Sequence, residues 1–250
     1  MKKILSSLIQ TAAISAIVST ANASVISVNA GSDGWTGWKV TNSSTTEFAD
    51  AFLDPDPPAI IGVNGQAWGL RAKNLATIGA AYGFGQVLSV GNSVTISVSL
   101  GNMDGGSVVG FGLQDGDGNN LLECYYVGGG TDAWKLNDGA QEDITGPVTT
   151  WGYSSSSNNT KQTIEFTLLA GNEYSLSFNG VEATNTGMYL SASNISQVRI
   201  FNYNAGDGAS NDQYFNSLTV IPEPGTLGLV AFGALVVGAG TRRRKAWGTV

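Results

Sequence analysis

Asp115-Gly116-Asp117-Gly118-Asn119-Asn120 holds the residue types closest to a metal site. Side-chain oxygens at Asp115, Asp117 and Asn119 alternate on a glycine-rich loop, as they do where a loop wraps calcium, a hard cation that takes six to eight oxygen ligands. The twelfth position from Asp115, where such a loop would place its closing glutamate, is Tyr126, so a helix-flanked calcium loop is excluded. The same Asp-Gly pairs are the chemistry of a tight turn, and that reading competes with calcium. Asp207, Asn211 and Asp212 form a sparser oxygen cluster.

Catalytic groups are harder to assemble. With no histidine there is no Ser-His-Asp or Cys-His machinery and no histidine-ligated zinc or haem. Retaining glycoside hydrolysis needs two carboxyl groups about 5–5.5 Å apart. The strand acids Glu123, Glu165 and Glu173 are isolated, and adjacent Glu142 and Asp143 would point to opposite faces of a strand. The expectation is therefore no enzyme. The alternative is a divergent glycan hydrolase or lyase whose acids converge from distant segments. The single cysteine, Cys124, excludes an intrachain disulfide and lies in the apolar run Leu121–Val127, where a buried, inert thiol is expected. Tryptophans are the other resource, because sugar C–H faces stack on flat rings. Trp134, between Gly/Thr/Asp residues and Lys135, and Trp151, beside the Ser-rich stretch 152–160, are expected to be exposed and to stack on carbohydrate. Trp35 and Trp38 cannot both face one side of a regular strand.

The elements that must position these residues are strands. Ile96, Val98 and Leu100 alternate with hydroxyl residues, and the same period runs through Thr163–Leu168, Tyr174–Phe178 and Val198–Tyr203. Further strands are expected at Val25–Asn29, Trp35–Thr41, Ala67–Ala72, Gln86–Val90, Ser107–Gln114, Leu121–Tyr126 and Gln213–Ile221. Asn179-Gly180 marks a hairpin. Only Lys73–Ala81 offers a short helix. No repeat of 20–50 residues is present, so the expectation is an all-β body over 24–220: two antiparallel sheets in a jelly-roll sandwich.

Both ends of the chain read as addresses. Lys2 and Lys3, the apolar run Leu5–Val18 and the small residues Ala21 and Ala23 form a secretory signal helix over 1–23, with cleavage before Ser24. At the other end, Pro222-Glu223-Pro224 precedes an uncharged apolar run, Thr226–Gly240, and then Arg242, Arg243, Arg244 and Lys245. As a helix that run spans about 24 Å, short of the ~30 Å hydrocarbon core, and crosses if the bilayer thins or its flanks snorkel. The basic cluster holds its end in the cytoplasm. Of 12 bases and 19 acids in the 250 residues, the segment Ser24–Ile221 carries 6 bases and 18 acids, giving 6 − 18 = −12. That charge excludes the basic footprint of a nucleic-acid binder and favours divalent cations over anionic polymers.

The order of pieces in 221–250 resembles the PEP-CTERM sorting signal of Gram-negative bacteria, carried by Pro222-Glu223-Pro224, the Gly-rich run Leu227–Gly240 and Arg242–Lys245. The resemblance implies export by the secretion machinery and signal peptidase, transient anchoring in the inner membrane by a C-terminal transmembrane helix, and processing by exosortase. The body would then reside at the cell surface or outside the cell, commonly beside exopolysaccharide. The alternative is a permanent single-pass anchor. Val109–Asp115, Leu121–Trp134, Thr163–Gly180 and the last strand together resemble the concanavalin A-like lectin/glucanase sandwich, including laminin-G-like domains. That resemblance implies an exported surface or matrix protein that binds polysaccharide, with a purely structural biofilm component as a further alternative.

Overall fold

Strict alternation is what the backbone uses. A computed structural model describes residues 24–43, 49–55, 65–100, 102–129, 133–138, 144–148, 160–183 and 190–222. The expected signal helix and transmembrane helix lie outside these residues. Within them Val25–Pro222 form one compact unit. Its strands are β1 (Ile26–Val28), β2 (Trp38–Asn42), β3 (Ala49–Asp54), β4 (Ala67–Ala72), β5 (Thr77–Gly83), β6 (Ser93–Leu100), β7 (Val108–Gln114), β8 (Asn120–Val127), β9 (Ala133–Asn137), β10 (Ile144–Val148), β11 (Thr160–Leu168), β12 (Tyr174–Phe178), β13 (Val181–Glu182), β14 (Gln197–Tyr203) and β15 (Gln213–Ile221). One helical turn, α1 (Ala30–Asp33), follows β1.

The strands form two antiparallel sheets packed as a sandwich. The first runs β13-β12-β11-β6-β15-β4-β3, with β1 also on β15, and the second runs β10-β9-β8-β7-β14-β5-β2. Neighbours in the sheets are distant in sequence, as β14 between β7 and β5 shows. Val94, Ile96, Ile164, Phe166, Leu176 and Phe178 of the first sheet are buried against Ile78, Val109, Phe111, Leu113, Leu122 and Ile200 of the second. Burial of this kind stabilises by roughly 25 cal/mol per Å² of apolar surface. Polar staples join the layers at one end. Buried Asn202 Nδ2 of β14 donates to the Leu70 carbonyl of β4 at 2.9 Å, and Gln213 Nε2 of β15 reaches the Gly110 carbonyl of β7 at 3.4 Å.

Local departures have local causes. Asn179 and Gly180 hold φ of 51° and 79°, the left-handed pair that a two-residue hairpin turn requires, and join β12 to β13 as expected. The expected helix at Lys73–Ala81 is instead a turn and β5. Positive φ at Asn74 (55°) and Leu75 (64°) breaks any helix there, and Thr77–Gly83 pairs with both β14 and β2. Gln86–Val90 is not a strand; Leu88 is tied by its N–H to the Ile195 carbonyl at 2.7 Å. Trp35 precedes β2 in a turn, which removes the conflict with Trp38. Both rings join Trp68 and Phe215 in one aromatic cluster, with Trp38 5.1 Å from each of the latter two.

Candidate functional site

The outward face of the second sheet concentrates charged and aromatic side chains among glycines. Cross-strand pairing sets two rows of side chains on it. One row reads Lys39, Ala81, Arg199, Gly112, Glu123, Asn137, and the next reads Thr41, Gly79, Phe201, Gly110, Tyr125, Lys135. The alternate residues Trp38, Ile78, Ile200, Phe111, Cys124 and Leu136 point into the core. Glycines therefore floor the middle of the face, and larger side chains stand on either side of them.

Those glycines are required. A Cβ on Gly110 would fall 2.5 Å from the Cys124 carbonyl oxygen and 2.7 Å from the Phe201 ring, and one on Gly79 would fall 2.9 Å from Arg199 Nε. Arg199 lies with its guanidinium carbon 5.0 Å from the centre of the Phe201 ring, within cation–π range. Its Nη1 is 4.0 Å from Glu123 Oε1, and the two side chains are 25% and 23% exposed. Burial lifts the Glu123 carboxyl above the usual glutamate range, and Arg199 only partly offsets that rise. Burial likewise lowers Arg199 more than Glu123 raises it. At 4.0 Å the contact is longer than a hydrogen bond, so the pair does not commit the guanidinium donors to Glu123. Beside Arg199 a shallow depression of about 290 Å³ is lined by Thr41, Asn42, Ser43, Thr77, Gly79 and Arg199.

The loop at 115–120 buttresses this face. Asp115 Oδ1 accepts the backbone N–H groups of Asp117 (3.0 Å) and Asn119 (2.9 Å), and its Oδ2 accepts Asn119 Nδ2 (2.9 Å). The side-chain bond from Asn119 is the largest of several that lower the Asp115 carboxyl. These donors engage both Asp115 carboxylate oxygens, and Asn119 turns its amide nitrogen toward Asp115; the observed geometry is a capped turn. Gln197 Nε2 donates to the Asp115 carbonyl at 2.8 Å. Gln114 Nε2 donates to Asn120 Oδ1 at 2.7 Å, and Asn120 Nδ2 in turn donates to Glu123 Oε1 at 2.7 Å. The turn thus fixes Glu123 through Asn120.

The tryptophan expectation is corrected. Trp134 is fully buried, 5.3 Å from Phe178 in a stacked pair and 6.0 Å from Tyr126. Pairing of Leu136 with Cys124 fixes the parity of β9, sending Trp134 inward and Lys135 outward. Trp151 lies outside the described residues. Cys124 is fully buried, and burial pushes its thiol well up, so the thiolate is suppressed. The second oxygen cluster disperses. Arg71 donates to both carboxylate oxygens of Asp212 at 2.9 and 2.8 Å, Lys73 pairs with Asp207 at 3.0 Å, and Asn211 Nδ2 binds the Ala205 carbonyl. Among the described residues no group of three or more His, Cys, Asp or Glu side chains is placed to hold a metal.

Arg199, Phe201, Glu123, Tyr125 and Lys135 are the outward-facing groups of this sheet that residue-type reasoning missed. The signal was present in the parity of β8, β9 and β14, because each of these residues alternates with an apolar one, opposite the glycines of Val108–Gln114.

Residues 220–245 match the PEP-CTERM protein-sorting motif. The tail is a PEP-CTERM sorting signal. This signal marks an exported, exosortase-targeted protein that is transiently anchored in the membrane before processing. No helix among the described residues is long and apolar enough to cross a membrane. No curated protein matches the sequence. The folded body is similar to solved structures at low identity. Cip1, a cellulose induced protein, is 13% identical with a TM-score of 0.51, over 78% of this chain and 96% of that one. The globular domain of T. cruzi calreticulin is 8% identical with a TM-score of 0.54, over 89% and 97%. The Crh5 transglycosylase is 14% identical with a TM-score of 0.52, over 80% and 84%. At these identities the likeness establishes the two-sheet antiparallel β-sandwich fold and nothing finer.

Proposed function

We propose that the body of this exosortase-targeted protein is a non-catalytic polysaccharide-binding module displayed at the cell surface or in the extracellular matrix. The observation that carries the reading is the outward face of the second sheet, where Arg199, Phe201, Glu123 and Tyr125 stand over and beside Gly79, Gly110 and Gly112. Polymer binding needs an extended surface with ring faces and spaced donors and acceptors, and this face supplies them along two rows. Catalysis of retaining type would need a second carboxyl about 5–5.5 Å from Glu123. Glu123 is the sole acid on the seven strands of this sheet, and Gly112 and Asn137 are its cross-strand neighbours.

The test is co-sedimentation of Ser24–Pro222, the compact unit with its own core, with exopolysaccharide from the producing organism. Binding is expected in calcium and in EGTA alike, since the 115–120 turn is capped by its own residues. Tyr125→Ala is expected to weaken binding by about tenfold, the scale of one aromatic contact. Absence of sedimentation, with self-association of the protein instead, would replace this reading by a purely structural one. Release of shortened glycan products would replace it by an enzyme.

A further inference from the structure

We propose that this face selects an acidic polysaccharide, a polymer carrying carboxylates along its chain; the inference rests on the polysaccharide-binding reading above and names its ligand class. The segment Ser24–Ile221 has only 6 bases against 18 acids. Three of those six, Lys39, Lys135 and Arg199, stand on the outward face of the second sheet, whose strands hold the single acid Glu123. The strands of this face therefore carry 3 − 1 = +2 within a body of 6 − 18 = −12, with Asp115 and Asp117 on the turn at its edge. Elsewhere in the body Arg71 is paired with Asp212 and Lys73 with Asp207. Among the described residues neither Lys39 nor Lys135 is paired with a carboxylate, and Arg199 holds Glu123 only at 4.0 Å.

The geometry fits a chain lying across the strands. Lys39 on β2 and Lys135 on β9 are separated by five inter-strand steps, β2-β5-β14-β7-β8-β9, with Arg199 on the third strand. At about 4.8 Å per step this is a line of roughly 24 Å with positive charge at both ends and near the middle. Gly112 lies between Arg199 and Glu123, whose charged groups approach to 4.0 Å, while the Phe201 ring and Arg199 Nε lie over Gly110 and Gly79, so a ligand lying across the strands meets these side chains. Arg199 offers a planar fork that matches a carboxylate in two-point contact. The net charge of the body does not forbid such a ligand. At physiological ionic strength the Debye length is about 8 Å, so a face of this breadth is governed by its own charges. Three bases are too few for a nucleic-acid footprint, whose affinity is built on many phosphate contacts.

Glu123 gives the proposal its sharpest consequence. A neutral glycan would use this carboxylate as a hydroxyl acceptor, whereas an acidic one is repelled by it. The experiment is affinity electrophoresis of Ser24–Pro222 through gels containing alginate, carboxyl-reduced alginate of the same length, or laminarin. Retardation is expected in alginate, at least tenfold weaker in the carboxyl-reduced polymer, and weakened by added salt. Lys39→Ala/Lys135→Ala, two side chains outside the core, is expected to weaken alginate retardation at least fivefold with an unchanged unfolding midpoint. Glu123→Gln is expected to strengthen it. Equal retardation by native and carboxyl-reduced alginate, or weakening by Glu123→Gln, would overturn the acidic class and leave polysaccharide binding standing. Retardation by none of the three, together with no sedimentation of the organism's own exopolysaccharide, would overturn both.

Discussion

The two outward faces of the sandwich treat charge in opposite ways. The strands of the first sheet carry Arg71 and Lys161 against Asp50, Asp54, Glu165 and Glu182, a balance of 2 − 4 = −2. Much of that face is hydroxyl, with Thr95, Ser97, Thr163, Thr167, Ser175 and Ser177 alternating with core residues. Its arginine is committed. Arg71 grips Asp212, which is 1% exposed, through two bonds and lies 5.2 Å over the Phe52 ring. The second face has the opposite sign, and its arginine is held loosely over a glycine floor. A bidentate pair that holds a buried carboxylate stabilises the fold against loss of either partner, whereas a partly buried pair at 4.0 Å leaves donors for a ligand. One face maintains the structure and the other is available for binding.

Removing one partner from each face separates the two roles. Arg71→Leu leaves the Asp212 carboxylate buried without its cation and is expected to cost about 3 kcal/mol in urea unfolding, with polymer affinity of the folded fraction unchanged. The sign of its pH dependence follows from Asp212, whose carboxyl is raised by burial despite Arg71. A raised folded-state value makes the neutral form the favoured one, so the penalty is present at neutral pH and is relieved as pH falls through the raised range. The mutant's deficit should therefore shrink on acidification. A deficit that grew instead would show that the pair does not control this site.

Gly110→Ala tests the floor. It forces a Cβ against the Cys124 carbonyl and the Phe201 ring and is expected to cost about 1–3 kcal/mol. A neutral result would mean that the floor relaxes and does not set the shape of the face.

Arg199→Gln should do the reverse of Arg71→Leu. Polymer affinity falls about tenfold, while the stability change stays within about 1 kcal/mol, the scale of a weak ion pair. Glu123→Gln has a smaller effect of opposite sign. Burial raises the Glu123 carboxyl, so the ionised side chain opposes folding as pH rises through that raised range, and the amide removes the cost. The variant should be slightly more stable than the parent at neutral pH, and the difference should vanish in acid. Chelation by EGTA should leave the thermal midpoint unmoved, because three local donors already cap Asp115.

Legibility in the sequence followed the range of the interactions. The tail was readable because Pro222-Glu223-Pro224, the apolar run and Arg242–Lys245 are contiguous. The strands were readable because alternation is local, and the Asn179-Gly180 turn because left-handed φ restricts residue choice. The site was not, because six strands contribute to it and their register is set by pairings such as Arg199 with Gly112, which are 87 positions apart. Trp134 misled for a related reason. Its neighbours Asp132 and Lys135 suggest a surface, yet burial was decided by the parity of β9 against Cys124. The 115–120 loop shows the limit of composition, since the same oxygens that suit calcium also suit a turn that closes on itself.

The measurement that tests the two-face account most directly is an NMR titration of Ser24–Pro222 with a short acidic oligosaccharide. The account predicts chemical-shift changes at Lys39, Gly110, Gly112, Tyr125, Lys135 and Arg199, with Thr95, Thr163 and Ser177 on the opposite sheet unmoved. Changes centred on that hydroxyl face, with Arg199 and Tyr125 silent, would contradict it.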